Sequence, residues 1–122
     1  MNCRTGKGTR AELYFEPDGT QSGDVLYPDG LDDPGCMGSI VVRSGSGGGD
    51  DVVYQSNAVG PSRTNLKVKK SVDSSKTFDN GLLVWAGPSA YSMLVDAGDY
   101  IGLLLELGDS SPYESIGFAV VA

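Results

Sequence analysis

Three observations predict an all-β fold, a jelly-roll-like sandwich or barrel of about eight to nine short antiparallel strands. Apolar residues come in short bursts. The bursts recur at about 8–14 residues, close to the rhythm of sandwiches and barrels. Between them stand Gly, Pro, Asp, Asn and Ser, and no segment carries a 3.6-residue apolar stripe over three turns.

In chain order, "AELYF" at 11–15 and "SGDVLY" at 22–27 flank "EPDGT", where Pro presets the first turn position and Gly accepts positive φ. "GSIVVR" at 38–43 and "DVVYQS" at 51–56 flank "SGSGGGDD", read as a plain connection rather than a binding loop. "TNLKVKK" at 64–70 alternates, with Leu66 and Val68 on one face and Asn65, Lys67 and Lys69 on the other. "LLVWA" at 82–86 and "AYSMLV" at 90–95 are parted by "GPS" and so read as two strands. In "DYIGLLLEL" at 99–107 one face is wholly apolar, Ile101, Leu103, Leu105 and Leu107. The last strand, "IGFAVV" at 116–121, carries no charge and is expected to be central. Ile116, Phe118 and Val120 share one face, while Gly117, Ala119 and Val121 share the other, which is expected to contact another subunit.

The division is a flexible arm at 1–10 and one β-sandwich domain at 11–122. Arg4, Lys7 and Arg10 lie in the arm among glycines with little to anchor them. Together with Lys67 and Lys69 they are the cations expected to dock an acidic partner. An edge strand guarded by lysines is the plainer reading of the latter two.

Composition excludes a good deal. There is no histidine and there are two cysteines, so neither a standard zinc site nor a Ser-His-Asp or Cys-His arrangement can be assembled. Cys3 and Cys36 read as separate thiols, with a single bridge left open. The net charge of −7 argues against nucleic acid, and no apolar run reaches the ~20 residues of a membrane span. The opening residues have no apolar stretch behind them, so no secretory signal is read.

"GKGT" at 6–9 lacks the spacing, strand and helix of a phosphate loop. The acidic stretch 16–35 has no EF-hand spacing, and its aspartates are expected to face solvent rather than calcium. Trp85 sits in an apolar run and reads as core. A sugar site would set two or three aromatics in loops, and Tyr91 and Tyr113 are the nearest candidates. Carboxylate pairs for glycoside hydrolysis carry little weight, since chance pairs are expected among 16 acidic residues. No catalytic, cofactor or metal residue is assigned, and the expectation is a protein without enzymatic activity.

The ending, "GDYIGLLLEL", a polar loop and then "IGFAVV", resembles that of tumour necrosis factor-like jelly rolls, trimers whose last strands line the threefold axis. In size and style the chain is also similar to small capsid decoration (cement) proteins of tailed phages. That resemblance implies a structural trimer bound to the major capsid protein on the virion surface, or otherwise a cytoplasmic protein. The alternative is a carbohydrate- or receptor-binding β-sandwich module, lectin-like or tumour necrosis factor-like.

Overall fold

The computed structural model describes residues 1–45, 47 and 49–122. The fold is all-β, with nine antiparallel strands in two sheets. Strands β1 (Asn2–Arg4), β2 (Arg10–Phe15) and β3 (Gln21–Leu26) form a three-stranded sheet in that order. Strands β4 (Ser39–Arg43), β5 (Val52–Ala58), β6 (Thr64–Ser71), β7 (Leu82–Asp96), β8 (Ile101–Leu107) and β9 (Ser115–Val120) form a six-stranded sheet, also in chain order.

The six-stranded sheet curls until strands far apart in its order meet. Ser56 Oγ on β5 lies 2.8 Å from Ser92 Oγ on β7, and the Leu94 N–H on β7 donates to Ser39 Oγ on β4 at 3.0 Å. At the rim Arg43 and Asp96 pair at 2.9 Å. The concave face encloses the core of Tyr54, Leu66, Val68, Leu94, Ile101, Leu103 and Leu105. Alternation places these residues: Leu103 and Leu105 point inward, whereas Leu104 between them is exposed.

Two departures from the sequence reading have local causes. The segments at 82–86 and 90–95 are one strand, because Pro88 sits where pairing is already irregular. Thr64 opposes Pro88, and the register shifts between Thr64 and Leu66, a place where a missing N–H costs no ladder bond. Secondly, the stretch 1–10, expected to be a free arm, contributes β1 and the first residue of β2. Arg10 is buried, ion-paired to Asp33 at 3.0 Å and donating to the Cys36 carbonyl at 2.9 Å.

Asp33 thereby differs from its expected solvent-facing place. Its carboxylate also accepts the N–H groups of Gly35 at 3.0 Å and Cys36 at 2.8 Å, which folds 31–36 inward with Leu31 and Cys36 buried. The glycine-rich connection at 44–51 includes positions 46 and 48, which lie outside the described residues.

The final strand is an edge strand, not a central one, since β9 pairs with β8 alone. Gly117 and Ala119 oppose Leu105 and Leu103, on the core side. A Cβ at Gly117 would stand 2.5 Å from Leu107 Cδ2, and Val121 packs against the core. The outward residues are the larger ones, Ile116, Phe118 and Val120.

Candidate functional site

Three chain segments converge at the middle of β7. Arg63 closes the turn between β5 and β6, in which the Gly60 N–H donates to the Thr64 carbonyl at 3.1 Å. A Cβ on Gly60 would meet Thr64 Oγ1 at 2.1 Å, so the turn needs glycine there. The Arg63 carbonyl in turn accepts the Ser89 N–H at 2.9 Å, fixing the loop to β7.

Tyr91 sits on β7 where the pairing with β8 slips between Ser89 and Ser92. Such irregularities re-aim side chains. The Tyr91 N–H donates to Glu106 Oε2 of β8 at 2.9 Å.

Tyr113 lies in the β8–β9 loop, which is organised around Glu114. The Glu114 carboxylate accepts N–H groups from Asp109 at 2.9 Å, Ser110 at 3.0 Å and Ser111 at 2.7 Å, and these bonds hold its pKa below the usual carboxylate value.

The three meet through Arg63. Its guanidinium carbon is 5.4 Å from the centroid of the Tyr91 ring, and its Nη1 donates to the Tyr113 hydroxyl. Tyr91 and Met37 together line two adjoining hollows. One, of about 210 Å³, runs along Met93, Leu104 and Ile116 and includes Glu106. The other, of about 370 Å³, is bordered by Asn2, Arg4 and Arg10. Arg63 and Tyr113 line neither hollow; they set a guanidinium and a second aromatic ring beside Tyr91, while Glu106 lines the smaller hollow with its carboxylate.

The cations expected to form a docking patch are dispersed. Lys69 is buried with its Nζ on the Gly30 carbonyl, and burial lowers its pKa. Arg10 is consumed by Asp33. Lys67 donates to the Asn80 carbonyl at 2.9 Å, Lys7 to the Tyr27 hydroxyl at 3.2 Å, and Arg4 to the Gly35 carbonyl at 3.2 Å. Of these, Arg4 and Arg10 border the larger of the two Tyr91 hollows. Arg63 brings together Tyr91 and Tyr113, the two residues that the sequence offers as nearest candidates for a sugar site; the sequence does not single out Arg63 as their partner. Trp85 packs against the core, as expected, with its Nε1 buried and unpartnered. Among the described residues no group of three or more His, Cys, Asp or Glu is placed to hold a metal ion.

No family model and no curated protein matches the sequence. Solved structures do. The Hadza microbial sialidase Hz136 matches with a TM-score of 0.80 and 27% identity, over 98% of this chain and 24% of that one. The NanB sialidase from Streptococcus pneumoniae, solved in complex with 2-[(3-chlorobenzyl)ammonio]ethanesulfonate, matches with a TM-score of 0.72 and 23% identity, over 99% of this chain and 20% of that one. The NanB match bears on the fold alone. In both cases this chain spans a quarter or less of the matched protein's length.

These matches overturn the resemblance to phage decoration proteins and tumour necrosis factor-like trimers. With it fall the capsid-binding function, the trimer on a major capsid protein and the virion location. The ending misled because an apolar strand, a polar loop and an apolar last strand are common to many β-proteins. The sialidase matches favour the alternative reading, a carbohydrate-binding module.

Proposed function

We propose that this chain binds a carboxylate-bearing sugar of the sialic acid type, with Arg63 taking the carboxylate and Tyr91 and Tyr113 flanking the ring. The observation that carries the reading is the Arg63 guanidinium held between the Tyr91 ring and the Tyr113 hydroxyl. A planar guanidinium matches a carboxylate with two parallel hydrogen bonds. A chain with net charge −7 would otherwise repel an acidic sugar. The overlap with Hz136 along nearly the whole chain supports the same substrate class.

Calorimetric titration with sialosides and their desialylated counterparts tests it. Binding is expected for the former only, and Arg63→Met should weaken it at least about tenfold with the fold intact. Equal responses to charged and neutral glycans would sink the proposal.

Hydrolysis is a second reading, favoured by Tyr91, because sialidases use a tyrosine nucleophile in place of a carboxylate. Tyr91 lies beside both Arg63 and Glu106. Turnover also needs a group to protonate the leaving oxygen. The carboxylate that contacts Tyr91, that of Glu106, accepts the Tyr91 backbone N–H through Oε2. We therefore assign residues 1–122 on their own binding without turnover. Release of the fluorophore from an aryl sialoside by the purified chain, abolished in Tyr91→Phe, would reverse that assignment.

A further inference from the structure

The outward face of β7–β9 is apolar where a solvent-facing sheet is usually polar. Antiparallel register sets Met93, Leu104 and Phe118 side by side across the three strands, and sets Val95 and Val120 either side of Gly102. The space over Gly102 is filled by the chain's own Phe118 ring and Val95, for a Cβ there would stand 3.0 Å from that ring. The exposures are large, 62% for Met93, 58% for Phe118 and 62% for Val120. Contiguous patches of this kind mark contact surfaces. Tyr91 and Glu106 share this face, since they alternate with inward Ser92 and Leu105, so the patch runs directly into the candidate sugar site.

We propose that this face is covered by a further β-sheet of a sialidase-type chain, packed face to face, and that the covering sheet supplies the missing wall of the Tyr91 site. Three observations choose that occupant. The patch is three adjacent strands wide, and sheets stack through such faces at about 10 Å. It is continuous with the site. The matched sialidase Hz136 has more than three quarters of its chain outside the region that this chain overlays. The docking rests on the apolar face; only the completion of the site rests on Arg63 as the carboxylate ligand.

The experiment replaces the matched quarter of Hz136 with residues 1–122 and compares this chimera with the free chain. Met93→Cys and Phe118→Cys are introduced singly into both, and maleimide labelling is read peptide by peptide, so Cys3 and Cys36 do not interfere. Labelling of both positions is expected to slow by about tenfold or more in the chimera. Equal rates in the two contexts would overturn the proposal, as would a chimera that does not fold. Protection already present in the free chain, together with a dimer mass by light scattering, would give the face to a second copy and also overturn it. Sialoside binding by the chimera and its Arg63→Met variant is read separately. Protected cysteines without arginine-dependent binding would sink the carboxylate reading while leaving the docking face standing.

Discussion

The guanidinium of Arg63 faces the ring of Tyr91 at 5.4 Å, although one residue closes a turn before β6 and the other sits midway along β7. An exposed cation–π contact contributes only about 0.5–1 kcal/mol, so the pairing is worth more as positioning than as stability. Tyr91→Ala is therefore expected to lower sialoside affinity severalfold while shifting the melting temperature little. Tyr113→Phe, which removes the acceptor holding Nη1, should give a smaller loss of the same kind. Titration calorimetry beside thermal melts reads both. A large drop in melting temperature with unchanged affinity would place these residues in the scaffold instead.

The turn from β6 to β7 is organised around the carboxylate of Asp73. Asp73 accepts the Ser71 and Thr77 hydroxyls at 2.7 Å each and the N–H groups of Lys76 at 3.1 Å and Thr77 at 3.0 Å, and these bonds place its pKa far below the ordinary value. A carboxylate depressed in the folded state contributes stability that is present above its unfolded pKa and lost as pH falls towards the folded one. Asp73→Ala should lower the melting temperature at pH 7 by several degrees. The gap between wild type and variant should narrow steadily below about pH 4. A gap independent of pH would mean that the charge of Asp73 is irrelevant.

Arg10 and Asp33 are paired at 3.0 Å with almost no exposure of either side chain. Breaking such a pair from one side leaves an uncompensated buried charge and costs about 3–5 kcal/mol, whereas replacing both by apolar residues is often near neutral. Asp33→Ala should accordingly unfold in urea well before wild type. Arg10→Met with Asp33→Leu should recover much of the loss. If the double variant is worse than either single one, the pair specifies how the 31–36 segment packs on β2 rather than merely tolerating burial.

Both cysteines are free thiols, Cys36 buried and Cys3 only partly so, and burial raises the Cys36 pKa. A thiol-specific chromogen is expected to titrate Cys3 promptly and Cys36 only on unfolding. Two fast equivalents in the native protein would show that the 31–36 segment opens readily.

Strand existence and alternation were legible because both rest on local rules, turn residues and a period of two. The inward run Ile101, Leu103, Leu105 is where the pattern put it. What escaped was decided by distant chain. Nothing near Gly117 or Phe118 says which face of β9 meets the core; that depends on Leu105 and Leu107 across the ladder. Asp33 read as a solvent-facing turn residue because its partner, Arg10, lies on β2, 23 residues away. At the candidate site Tyr91 and Tyr113 could be picked out by type. Arg63 was hidden among lysines, and only the β5–β6 turn brings it to Tyr91.

The Asp73 carboxylate draws all of its bonds from residues 71–77, and the flanking Lys70 and Asp79 close on each other at 2.9 Å, while the Tyr14 hydroxyl reaches the turn from afar at the Ser74 carbonyl. The Asp73 and Lys70–Asp79 bonds have low sequence separation, so β6 and the start of β7 can find their register on the microsecond scale of an isolated hairpin. The Ser39–Leu94 and Arg43–Asp96 links span the long way round the curl and must come late. Emerging from a ribosome, this chain has the β6–β7 hairpin to nucleate upon before β8 and β9 are made. Substitutions that loosen the turn should therefore slow refolding, whereas those at the Arg43–Asp96 rim should chiefly hasten unfolding.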